Sequence, residues 1–135
     1  MPKGLDTNIL VYAIDNKAGW KHEKAVEIVE EILRNPKEYI ISSQVLAETL
    51  YVVKKKYPPA TPLALILVYT LARKLRVVHY THVEVLQAST SPKRYYWDRI
   101  LAHTYANNGA DTIITEDQKP YKPIIKTQNP FQTKI

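Results

Sequence analysis

Short runs rich in β-branched residues alternate along this chain with longer stretches patterned for helices, and that alternation limits the fold more than any other feature. Lys3–Asp6, Tyr39–Ile41, Val77–His79 and Asp111–Thr115 read as strands, and Pro123–Lys126 as an edge strand. Thr7–Ile14 follows the first of these as a helix. Trp20–Leu33 carries Ala25, Ile28, Val29, Ile32 and Leu33 on one helical face, and Asn35-Pro36 stops it. Ser42 or Ser43 offers a cap for a helix running to about Lys55. Thr61-Pro62, a hydroxyl cap with proline in the first turn, opens Leu63–Leu75. That segment is apolar nearly all round, which predicts deep burial or a face covered by a partner. Thr81-His82-Val83-Glu84 has the form of a capping box. Tyr95–Asn107 reads as a further helix, closed by Asn108-Gly109.

Strands separated by helices in this way predict a mainly parallel sheet with helices on both faces, a three-layer α/β/α sandwich. At 135 residues the chain fits one domain with a real core. Its expected extent is 1–126, with 127–135 as a C-terminal tail. No apolar stretch has spanning length, Asp6 and Asn8 interrupt any signal-peptide core, and there is no cysteine for disulfides or thiolate metal sites. A cytoplasmic protein without a membrane partner is the expectation.

The net charge of +6 is unevenly placed. Residues 1–53 carry 6 basic and 8 acidic side chains, whereas residues 54–135 carry 13 and 5. Lys54–Lys56, Arg73-Lys74 with Arg76, and Lys93-Arg94 are the dense spots. The balance suits a polyanionic partner as well as a solvated lysine-rich surface.

The acids recur where strands give way to helices. Asp6 ends the first strand, and Glu116-Asp117 follow the Asp111–Thr115 strand. Glu48 lies in the second turn of its helix, turned well away from the face set by Leu46, Thr49, Leu50 and Val53, and Asp98 lies in a first turn. Sites in open parallel sheets form beyond the carboxyl ends of the strands, so these groups can meet. Each also has a plain structural role open to it: Asp6 as a helix cap, Glu48 as a solvated residue, Asp98 as a partner of the helix dipole, Glu116-Asp117 as turn residues. If they converge, repulsion of about 4 kcal/mol per pair about 4 Å apart at an effective dielectric near 20 calls for protons or cations. Hard oxygen ligands without His or Cys suit magnesium or manganese, with Asn8 and Thr115 as nearby polar oxygens. Such a site suits metal-assisted phosphodiester hydrolysis.

The ordered set of Leu5–Asp15 containing Asp6-Thr7-Asn8, Val45–Glu48, Tyr96–Asp98 with Ile100–Ala102, and Gly109–Asp117 ending in Thr115-Glu116-Asp117 resembles a PIN domain across most of the chain. The resemblance implies a compact nuclease that cleaves RNA with Mg2+ or Mn2+, often the toxin of a VapC-type toxin–antitoxin pair and commonly a homodimer. It implies Asp6, Glu48, Asp98 and Asp117 as the acidic quartet, catalytic and metal-binding, with Asn8, Thr115 and Glu116 in support. An antitoxin protein would then be a partner beside RNA. Two other classes stay open: an RNA-binding module without activity, and a phosphotransfer protein using Asp6 as nucleophile. That protein would be of receiver or phosphohydrolase type, and the phosphohydrolase version normally has a second acid where this chain has Asn8.

Lys93, Arg94 and Arg99 are the candidate RNA contacts, and Tyr95, Tyr96 or Trp97 can stack an unpaired base, although for Trp97 core or interface packing is the preferred reading. His22, His79, His82 and His103 lack metal-ligand spacing.

Overall fold

A computed structural model describes residues 1–132. Among these residues five strands form one wholly parallel sheet: β1 (Lys3–Leu5), β2 (Tyr39–Ser42), β3 (Arg76–Val78), β4 (Thr112–Ile114) and β5 (Lys126–Gln128), in the order β3-β2-β1-β4-β5. The helices are α1 (Thr7–Ile14), α2 (Trp20–Arg34), α3 (Ser43–Lys56), α4 (Thr61–Lys74), α5 (His82–Gln87) and α6 (Tyr96–Asn107). α1 through α4 pack as one group and α5 with α6 as another, giving the α/β/α sandwich that the alternation predicts. The chain steps from β1 outward through β2 to β3, then returns to lay β4 on the other side of β1. The crevice beside β1 is therefore the switch point at which such sheets take ligands.

Local chemistry accounts for most element ends. Asp6 caps α1, Ser42 caps α3 through Gln44 N–H, and Thr81 with Glu84 forms the expected capping box. Gly109, at φ 92°, closes α6, and the Ala110 N–H returns to Tyr105 C=O. Thr61 departs from expectation: its hydroxyl donates to Pro58 C=O, and α4 has no side-chain cap. α4 buries only Ala64, Val68 and Leu71, leaving Leu63, Leu65, Ile66 and Tyr69 exposed, so it is half covered. The last strand also needs correcting. Pro123–Ile125 form a turn and the strand is Lys126–Gln128, so Thr127 and Gln128 belong to the sheet and not to a tail. Within the expected tail, residues 133–135 lie outside the described residues. Among the described residues no helix is long and apolar enough to cross a membrane.

Tyr105 sets the shape of the sheet's centre. Regular parallel pairing would join Ser42 N–H to Leu5 C=O. Instead the Tyr105 hydroxyl stands between them, accepting from Ser42 N–H at 3.1 Å and donating to Leu5 C=O. The β1–β2 ladder stops at Gly4 and Ile40, and the two strands part at the rim where Asp6 begins. Gly4 makes this possible: a Cβ there would stand 2.4 Å from the Tyr105 ring.

Candidate active site

Asp6 leaves β1 at the switch point, its N–H bonded to Ile114 C=O of β4 at 3.1 Å. It is only 7% exposed. One carboxylate oxygen, Oδ1, accepts from Thr7 N–H at 2.7 Å, so the capping role is real. The other, Oδ2, accepts from the Thr115 hydroxyl at 2.7 Å and the Tyr121 hydroxyl at 2.9 Å. Burial raises its pKa, against the pull of those three hydrogen bonds, and the Asp117 charge adds to the rise.

Asp98 approaches from the first turn of α6, and its Oδ1 is 3.1 Å from the same Tyr121 hydroxyl. A single phenol therefore reaches both carboxylates. Burial, and after it the charge of Asp6, push the Asp98 pKa up to about 6; Tyr121 and Arg99 oppose the rise. Burial and the two carboxylates keep Tyr121 protonated. One O–H can donate to one carboxylate at a time, so the group is short of positive charge unless a proton or cation joins it.

Asp6, Asp98, Asp117 and Tyr121 line one cavity of about 410 Å3 together with Thr7 and Asn8. Glu48 does not line it. It stands across the rim, where burial raises its pKa, a Gln44 hydrogen bond opposes, and the charges of Asp6 and Asp98 add to the rise. Thr115 is the junction of the cluster. Its hydroxyl donates to Asp6, accepts from Asp117 N–H at 3.0 Å, and lies 3.4 Å from Asn8 Nδ2. Asn8 Oδ1 in turn accepts from Glu116 N–H at 3.3 Å. The Glu116 carboxylate turns elsewhere: it pairs with Lys21 and accepts from Tyr12 at 2.6 Å, which outweighs burial and lowers its pKa. Size alone does not mark this site, since a cleft of about 710 Å3 between Lys24, Arg34 and Gln128 has no comparable convergence of acids.

No three Asp, Glu or His side chains among the described residues already form a closed metal cage. The donor set nevertheless suits magnesium or manganese, which keep several waters and take only one or two carboxylates. Thr7 Oγ1 supports that fit, being a buried hydroxyl on the cavity wall without a hydrogen-bond partner.

Of the basic and aromatic candidates, Lys93 and Arg94 are exposed. Arg99 donates to Pro120 C=O and so ties α6 to the loop that carries Tyr121. Arg94 and Arg99 cover the Tyr95 ring at 4.7 and 5.3 Å, leaving that ring less able to stack a base. Tyr121 and Tyr105 went unforeseen. In sequence Tyr121 is one aromatic between two prolines, and Tyr105 is one apolar position of an amphipathic helix; neither pattern signals a polar role.

Residues 4–123 match the family model for the PIN domain. The chain belongs to the PIN domain family. The PIN fold extends to solved structures of low identity. Mycobacterium tuberculosis VapC20, described as a sarcin-ricin loop cleaving toxin, superposes with a TM-score of 0.68 at 16% identity, covering 89% of this chain and 93% of that one. VapBC2 of Rickettsia felis, bound to a DNA fragment from its promoter, gives 0.66 at 23% identity over 96% and 98%. DNA-bound VapBC of Salmonella typhimurium gives 0.66 at 23% over 96% and 99%. No curated protein matches the sequence.

Proposed function

We propose that this PIN domain is a divalent-metal-dependent endoribonuclease, using Mg2+ or Mn2+ to hydrolyse RNA phosphodiester bonds, and that it is the toxin of a toxin–antitoxin pair. The observation that carries the reading is the Tyr121 hydroxyl, which reaches both Asp6 and Asp98. Capping α1 occupies one oxygen of Asp6; a second carboxylate brought to the same phenol with no positive charge beside it burdens the fold and suits a cation.

In this reading Asp6 and Asp98 hold the metal, and Asp117 offers a third carboxylate at the exposed mouth of the cavity. When bound, the cation lowers the pKa of a water and offsets charge on the phosphate. Glu48, across the rim, is a further ligand or positions the attacking water. Thr115 and Asn8 fix Asp6 and Asp117, while Glu116 is held by Lys21 and Tyr12 and supports the loop. The basic half of the chain draws the RNA backbone in, with Lys93 and Arg94 as phosphate contacts.

Family likeness supports the biological setting. The Rickettsia and Salmonella neighbours are VapBC structures, and this chain presents an apolar groove lined by Ala13, Val29, Leu33, Leu63, Ile66 and Leu67 that suits an apolar antitoxin segment. A homodimer acting in the cytoplasm completes the proposal. Asp6 is a poor phosphotransfer nucleophile here, because both of its oxygens accept hydrogen bonds in a buried setting.

The test is cleavage of RNA by the purified chain with manganese and with excess chelator, beside Asp6→Asn and Asp98→Asn. Activity should require metal and vanish in both variants while the far-UV spectrum is unchanged. Full activity in chelator, or in either variant, refutes the reading.

A further inference from the structure

A second cleft adjoins the acidic cavity across Glu48. It measures about 690 Å3, within the usual range for a small-molecule site, and its wall is chiefly apolar, with Ala47, Tyr51, Tyr80 and Trp97 beside the polar Ser43, Gln44 and Glu48. The aromatic groups are held open to solvent. Trp97 is 55% exposed, Tyr80 41% and Tyr51 65%, although each brings a large ring that folding normally hides. Trp97 and Tyr80 meet edge to face, with centroids 6.2 Å apart and planes at 71°. Tyr96 buttresses Trp97 in the same manner at 5.5 Å. The indole is thus braced from two sides.

The cleft is tied to the acids by one side chain. Gln44 Nε2 donates to Glu48 Oε1 and to Trp97 C=O, both at 3.2 Å. That fixes the amide's orientation, since a flipped Gln44 would set its oxygen against two acceptors. The same donor group therefore holds an acid of the proposed active site and the backbone of the aromatic wall in fixed relation. At the outer end, Lys55 lies 5.9 Å from the centroid of the Tyr51 ring, and Lys56, one residue on, lines the acidic cavity. An aromatic platform with a lysine at its edge is the arrangement that takes single-stranded nucleic acid: rings stack the base and the cation meets the phosphate. A second copy of the chain suits it less well, because a two-fold contact would set this lysine-bearing patch against itself.

We propose that this cleft is a nucleobase subsite, in which an unpaired base next to the scissile phosphate stacks on Trp97, with Tyr80 and Tyr51 closing the sides and Lys55 meeting the adjoining phosphate. The assignment rests on the ribonuclease reading for its place in the reaction, but base binding can be measured without cleavage. Inside a duplex both faces of a base are covered by its stacked neighbours, so the subsite takes an unpaired, unstacked base.

The experiment uses the full chain in a Trp20→Phe background, where Trp97 is the one tryptophan, with chelator present to prevent cleavage. A short unstructured oligoribonucleotide should quench the Trp97 emission, and an abasic sugar–phosphate strand of equal length and charge should not. In the otherwise native protein, Trp97→Ala should weaken oligonucleotide binding about 5- to 150-fold, the range for loss of one stacked base, and Trp97→Phe should keep most of the affinity. With manganese, Trp97→Ala should raise KM more than it lowers kcat. Quenching by both strands alike, or unchanged affinity in Trp97→Ala, overturns the assignment. So does a Trp97→Ala variant that turns a dimer into a monomer while a matched monomer binds RNA as before, which would make the cleft a contact between copies. A native chain that cleaves no RNA yet shows base-dependent quenching sinks the nuclease reading and upholds the subsite; cleavage with no effect of Trp97→Ala does the reverse.

Discussion

Replacing Tyr105 with phenylalanine removes one oxygen and should cost this fold several times more than the same change elsewhere. The Tyr105 hydroxyl is fully buried and serves two backbone groups, Ser42 N–H and Leu5 C=O. Losing it leaves both without a partner in a region closed to solvent, and the gap of one oxygen is too small to admit a water. An unsatisfied buried group costs about 1–3 kcal/mol, so the pair should cost about 2–6 kcal/mol. For a domain of this size that lowers Tm by roughly 7–20 °C. Tyr39→Phe is the control, because Tyr39 donates at 3.1 Å to Glu31, which stays in contact with water; its loss should cost less than about 1 kcal/mol. Urea unfolding of both variants, with native protein alongside, gives the comparison. A Tyr105→Phe loss no greater than that of Tyr39→Phe would show that β1 and β2 simply close on each other, and that the hydroxyl is not what parts them. The reasoning would then be wrong at its root.

Three other predictions concern charge. Burial pushes the Glu84 pKa up, but the bonds from Asn107 and Thr81 outweigh it and hold it below the ordinary 4.5. Its contribution is therefore fully present above pH 4.5 and is lost as pH falls further, so Glu84→Gln should cost about 1–2 kcal/mol at pH 7 and less near pH 3 by urea titration. Asp98 has the opposite sign. With its pKa raised from 3.8 to about 6, ionisation burdens the metal-free fold, and stability in chelator should decline as pH climbs from 4 to 6. Asp98→Asn should then be more stable than native at pH 7 by about 1–2 kcal/mol, after allowing for solvent screening, with the difference shrinking near pH 4; calorimetry showing no gain refutes the charge deficit. Glu116→Gln should retain RNA cleavage within a few-fold, since Lys21 and Tyr12 already occupy that carboxylate, whereas Asp117→Asn should lose most of it. Equal losses in a kinetic comparison would contradict the assignment.

Much of the fold was legible in the sequence because its signals are local. The Thr81-x-x-Glu84 cap, the Ser42 cap, the Gly109 closure and the apolar face of α2 each depend on residues within about one or two helical turns of each other. The acids could be placed at the rim because strand ends face one way in a parallel sheet. What escaped depended on distant partners. Tyr121 gains its role only when the loop after β4 brings it to Asp6 and Asp98, and Tyr105 only when α6 crosses β1 and β2. Glu116 and Asp117 are adjacent in sequence, and Lys21, on a different helix, is what separates their surroundings. β5 slid past the Ile124-Ile125 pair because Tyr121 C=O captures the N–H groups of both in a turn, and the ladder to β4 starts afterwards. The hydroxyl of Thr61 donates to Pro58 C=O instead of capping α4.

The absence of a side chain at Gly4 binds two distant positions to a common history. A Cβ there and a full phenol ring at Tyr105 cannot coexist, so relatives that enlarge the first should be found to have trimmed the second, and the two should drift together across the family. A lone change at either place ought to be rarer than the paired one.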